Sequence, residues 1–160
     1  MASPIPPAEE LRASLARDGF VRIPNVFAGE EVETFRKAAS RATELARAGK
    51  WPYIRTLPKQ FPPWSQDPSQ GIWGVQHLLH PDMPERKTFA ESYFNDKMLE
   101  TITGLLQCKR DDLVLELYNM LVRPDRDFAL RWHRDDIPPE VTAEEEMERL
   151  KEPMLHAQWN

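Results

Sequence analysis

The ten residues Leu113 to Val122 constrain the fold most, because they form the one long run that alternates with a period of two. Val114, Glu116, Tyr118, Met120 and Val122 fall on one side, and Leu113, Leu115, Leu117, Asn119 and Leu121 on the other, as the pleat of a β-strand requires. Both sides are rich in large apolar groups, so the strand needs sheet neighbours and cover on its faces. An all-helical chain is thereby excluded. Pro124 ends the run, and a turn at Asp125-Arg126-Asp127 leads into Phe128-Ala129-Leu130-Arg131-Trp132, read as the next strand.

Helices precede this strand. Leu11 and Leu15 lie four apart in Ala8 to Arg17, and Asp18-Gly19 closes that helix. Phe20-Val21-Arg22-Ile23 alternates like a short strand. Between Ala28 and Ala48 the positions Val32, Phe35, Ala39, Ala42 and Leu45 mark a longer helix, with Glu30 and Glu31 at its start and Gly49 as its stop. From Lys50 to Gly71, five prolines interleave with Trp51, Tyr53, Phe61 and Trp64. Such a segment forbids ladders yet supplies packing surface, and is read as an ordered loop that covers the core or flanks an entrance. Ile72 to His77 reads as a strand, Pro84 opens a helix carrying Phe89, Tyr93 and Phe94, and Lys97 to Gln107 reads as another that buries Met98, Ile102, Leu105 and Leu106. Leu155 to Asn160 reads as the start of a further strand.

The 160 residues are expected to form a single, partial α+β domain behind a flexible leader, residues 1–7. A formal charge of −5 with scattered bases offers no field for a phosphate backbone, so nucleic acid is not an expected partner. No apolar run approaches the roughly 20 residues of a membrane span. With no secretory leader visible, the expected setting is cytoplasmic. One cysteine, Cys108, allows neither an internal disulfide nor a multi-cysteine zinc site.

The chemistry concentrates at His133-Arg134-Asp135. At the end of an extended segment, residues two apart leave from one face, so imidazole and carboxylate can grip one ion from adjacent corners. With a second imidazole they make the facial set of non-haem iron(II); catalytic zinc accepts a similar set. Asn119 is a polar group on an apolar strand face, and its amide must find partners in a co-substrate or in neighbouring backbone. His77 and His80 share a helical face at i, i+3, but no carboxylate motif completes a site there. The run Glu144-Glu145-Glu146 reads as a solvated helix face.

The opening Asp18-Gly19-Phe20-Val21-Arg22-Ile23-Pro24-Asn25-Val26-Phe27 with its following long helix, and the later order strand, turn, Trp132-His133-Arg134-Asp135, resemble phytanoyl-CoA dioxygenase family proteins. The resemblance runs from about Arg12 to Asn160 and implies a double-stranded β-helix, a jelly-roll of cupin-like form, with amino-terminal helices packed on one sheet. It implies an iron(II)- and 2-oxoglutarate-dependent dioxygenase that hydroxylates a small organic substrate, with His133 and Asp135 as metal ligands. His156 and Gln158, on one face of the last segment, are expected to line the co-substrate pocket with Asn119, or to be hydrogen-bonded in the core. The resemblance also calls for a distal histidine ligand and, beyond it, an arginine for the distal carboxylate of 2-oxoglutarate. Only 25 residues follow Asp135, and they hold one histidine, His156, and one arginine, Arg149. His156 stands too early for the distal ligand, although it is also a candidate for a makeshift third one. The expectation is therefore the amino-terminal half of such a domain, incomplete at its carboxyl end, with open sheet edges that invite self-association. The alternative is an inactive remnant or interaction module.

Overall fold

Alanines at four-residue spacing set the framework. In the computed structural model, which describes residues 5–133, 135, 137–149 and 151–160, Ala38, Ala42 and Ala46 are each 0% exposed on one stripe of helix α2, Gly29–Arg47. Their methyl groups let the helix axis approach a sheet closely. The buried stripe is rotated slightly from the expected one: Val32 is exposed, and Phe35 is half-buried, its ring edge-on to Phe27 at 5.0 Å. Glu31 reaches back to accept from the Ala28 N–H at 2.7 Å, closing the first turn. At the other end Gly49 takes a φ of 68°, with Gly49 and Lys50 N–H donating to Ala46 and Leu45 carbonyls.

The chain divides into two units. One comprises Asn25–Asn95 and Val114–Leu130, the other the described residues of Met1–Pro24, Asp96–Leu113 and Arg131–Asn160.

The first is a sheet unit. Strands β1 (Ile54–Thr56), β2 (Ile72–Val75) and β3 (Met120–Leu121) form an antiparallel sheet in the order β1-β2-β3. Ile54 pairs with Val75 and Val75 with Met120, and all three contribute to the core, where α2 packs on β2 and on α3 (Arg86–Tyr93). Of the expected long strand Leu113–Val122, residues 117–122 keep the alternation, with Tyr118, Met120 and Val122 turned to the core and Leu117 and Leu121 exposed, whereas Val114, expected on the core side, is 85% exposed and Leu113 packs on the core of the other unit. Its ladder is shorter than expected: β2 has four residues, so only Met120–Leu121 finds regular partners.

The proline- and aromatic-rich loop is stitched down by its indoles. Trp64 and Trp73 both donate from Nε1 to the Lys59 carbonyl, at 3.0 and 3.1 Å, and Thr56 Oγ1 donates to Ser65 O at 2.9 Å. The Arg55 guanidinium lies 5.2 Å from the ring centroids of both Trp64 and Trp73. Its stem crosses Gly74, where an added Cβ would come within 2.8 Å of Arg55 Cδ, so glycine permits the crossing. A bidentate pair from Arg41 to Glu85, 2.6 and 2.7 Å, ties α2 to the residue before α3 and holds the Glu85 carboxyl below its usual range.

The second is a helical unit. Helix α1 (Ala8–Asp18) packs on α4 (Asp96–Leu106) around Leu11, Ile102 and Leu105. Gly104 allows the close approach, since a Cβ there would lie 2.7 Å from that of Ala8, and Arg12 donates to the Gly104 carbonyl at 2.6 Å. Phe20 to Ile23 was expected as a strand and has no ladder here, but Val21 and Ile23 pack on the core while Phe20 is exposed. Helix α5, Ala143–Arg149, is short and exposed. It starts on a reciprocal cap in which Thr142 N–H donates to Glu145 and Glu145 N–H to Thr142 Oγ1. The architecture is α+β. Among the described residues no helix is long and apolar enough to cross a membrane.

Candidate metal pair and its surroundings

His133 lies in the helical unit, in a segment outside regular secondary structure, and both its ring nitrogens are directed. Nδ1 is 2.8 Å from the Arg131 carbonyl, an acceptor, so Nδ1 carries the proton of that hydrogen bond. Nε2 is 3.2 Å from Asp135 Oδ1. Arg134 between them and Asp136 after them lie outside the described residues. The expected two-residue clamp is therefore present as a local contact. It forms without the expected strand, since Phe128 to Trp132 has no ladder partner among the described residues.

With Nδ1 fixed as a donor, Nε2 offers a lone pair, and it faces a carboxylate oxygen that also offers one. Two such atoms in contact repel unless a proton or a cation lies between them. Two donors each about 2.1 Å from one ion at a right angle would be about 3.0 Å apart. The observed separation therefore suits either a hydrogen bond in an imidazolium-carboxylate pair or adjacent corners of one metal. A backbone carbonyl that holds the outer imidazole nitrogen is the usual support of a metal-binding histidine. The side chains keep 37% and 64% of their surface exposed, so an ion can enter from solvent.

The final segment also alternates without joining a sheet. Ala157 and Trp159 pack on the core of the helical unit, whereas His156 and Gln158 are exposed. These two share a side, as their spacing predicts, but that side faces outward, not into a core. Among the described residues no group of three or more His, Cys, Asp or Glu side chains is placed to hold a metal, so His156 does not join the pair here.

Asn119 belongs to the sheet unit and finds a backbone partner. Its Oδ1 accepts from the His77 N–H at 3.0 Å. His77 has a φ of 58°, a left-handed conformation that a non-glycine residue adopts at some cost. Leu78 N–H donates to the Tyr118 carbonyl at 3.1 Å, while the Asn119 amide satisfies His77. The i, i+3 pair His77 and His80 lies on a turn and not on a helix, closed by His80 N–H on the His77 carbonyl at 2.9 Å. Pro81 follows at once, which disfavours helical backbone at His80.

Both imidazoles pack on Tyr53, with ring centroids 4.9 and 5.2 Å away, and His80 also meets Trp51 at 5.6 Å. Trp51 Nε1 donates to the Gln76 carbonyl at 3.0 Å, joining the turn to β1. Sequence reasoning missed this aromatic cluster. Its one legible signal was aromatics flanking two closely spaced histidines. Comparison with protein-family models, with curated proteins and with solved structures finds no match for this chain.

Proposed function

We propose that this chain carries the first two metal ligands of an iron(II)- and 2-oxoglutarate-dependent dioxygenase that hydroxylates a small organic substrate. One observation carries the reading: His133 Nε2 meets Asp135 Oδ1 at 3.2 Å while His133 Nδ1 is held by the Arg131 carbonyl. The residue order Trp132-His133-Arg134-Asp135 and the opening Asp18 to Phe27, with their resemblance to phytanoyl-CoA dioxygenase family proteins, supply the choice of metal and co-substrate. The finer fold that goes with this reading is a double-stranded β-helix to which β1, β2 and β3 would belong, in a cytoplasmic protein.

His133 and Asp135 would hold the ion, with the Arg131 carbonyl fixing the imidazole so that its Nε2 lone pair is presented. Bound iron(II) would supply activation of dioxygen coupled to oxidative decarboxylation of 2-oxoglutarate. His156 and Gln158, exposed in the same unit as the pair, are the residues we assign to the co-substrate side, whereas the Asn119 amide oxygen is taken by the His77 backbone in the sheet unit.

The test is anaerobic titration with iron(II) and then 2-oxoglutarate, read by the visible charge-transfer band of the chelate. A band in the parent chain that is absent in His133→Ala supports the proposal; a folded parent chain that gives no band refutes it. A second reading, an interaction module that keeps the pair without turnover, rests on the exposed leucines beside β3. It predicts metal binding without the 2-oxoglutarate band.

A further inference from the structure

Strand β3 is flanked by β2 on one side and, among the described residues, by no strand on the other. The hydrogen bonds to β2 and to the turn after it use alternate residues: Val122 N–H donates to Trp73 O, and Tyr118 O accepts from Leu78 N–H. By the alternation of an antiparallel ladder, Asn119 and Leu121 turn their own N–H and C=O groups toward the open side. Beside that edge Leu117 and Leu121 are 63% and 62% exposed. An open edge carrying apolar side chains is a template for another strand.

We propose that this edge pairs antiparallel with the same edge of a second copy, about a two-fold axis through Asn119. The sequence is palindromic there: Leu117, Asn119 and Leu121 read alike in both directions, so leucine meets leucine across the axis and asparagine meets asparagine. This register makes the outward backbone groups partners in hydrogen-bonded pairs, whereas a shift by one residue would turn them away. The result is a continuous six-stranded sheet in which both β3 edges are used, and the assembly closes at two.

Charge also favours a like partner. A groove of about 400 Å³ runs along the edge between α2 and β3, with Glu44 and Arg47 on the helix wall and Arg123 at the strand end. The two-fold rotation that pairs the strands sets the two α2 helices antiparallel on one face, and in this register the strand wall of each groove, Met120 to Arg123, lies opposite residues 115–118 of the other copy, which places Glu116 of one copy across from Val122, next to Arg123, of the other. A partner of one charge sign would meet like charge somewhere in the groove. Strand pairing with two leucines a side is a small interface, so the dimer is expected to be weak, with Kd on the order of micromolar.

Sedimentation velocity over a concentration series of the 160-residue chain tests the proposal. A monomer-dimer equilibrium that stops at two is expected, and Leu117→Lys with Leu121→Lys should weaken it at least about tenfold by setting like charges face to face. Both leucines are exposed, and circular dichroism checks that the variant is folded. Register is tested in a Cys108→Ser background. Leu117→Cys together with Leu121→Cys should cross-link copies on oxidation, because paired Cα atoms about 5.5 Å apart suit a disulfide. Leu117→Cys alone should not. A chain that stays monomeric, a dimer that survives the lysines, or equal cross-linking by the single cysteine would each overturn the proposal.

Discussion

The two units differ in where their polar groups go. In the sheet unit, indole and hydroxyl donors are turned inward onto carbonyls: Trp51 to Gln76, Trp73 and Trp64 to Lys59, and Thr56 to Ser65, beside a core with several residues at 0% exposure. The helical unit has a smaller core of Leu11, Ile102 and Leu105, and its His133, Asp135, His156 and Gln158 are exposed. The indoles and the hydroxyl of the sheet unit thus have protein partners, whereas the helical unit leaves these four side chains open to solvent.

Breaking the sheet unit should cost most. Trp51→Ala removes a 4%-exposed indole, its hydrogen bond and its contacts with Tyr53 and His80, and should destabilise by about 3–5 kcal/mol in denaturant unfolding. Leu11→Ala empties one position in the smaller core and should cost about 2–4 kcal/mol. Hydrogen exchange would sharpen the contrast, with the amides of β2 expected to be protected longer than those of α1.

His133→Ala should leave stability within about 0.5 kcal/mol of the parent, since the side chain is exposed and packs on no core cluster, and should abolish metal binding. A large loss of stability would mean that the pair serves the fold. The smallest effect is electrostatic. Arg41 lowers the Glu85 pKa, so this pair contributes stability above the ordinary carboxylate range and loses it as pH falls through the depressed value. Glu85→Gln should therefore lower the melting temperature slightly at neutral pH, and the difference should vanish in acid.

What the sequence made legible was local. Helix α2 and its glycine stop, the closure of α1 at Gly19, the inward set Tyr118, Met120 and Val122, and the contact between His133 and Asp135 all follow from spacing over a few residues. Pairing was not legible. Phe20 to Ile23 and Ala157 to Trp159 keep the side-chain alternation of strands without a ladder, because alternation records which side is buried and not which neighbour donates hydrogen bonds. The spacing of His77 and His80 would suit a helix face, and the chain makes a turn there. Its backbone is set instead by the Asn119 amide, 42 positions away in the chain, which no local pattern shows.

Paramagnetic broadening tests the central claim most directly. In a chain labelled at its four histidine rings, substoichiometric manganese(II) should broaden the His133 signals first while those of His77 and His80 stay sharp, and Asp135→Asn should remove that selectivity. Broadening that begins at His77 or His80, or that reaches all four rings alike, would show that His133 and Asp135 are not the metal pair.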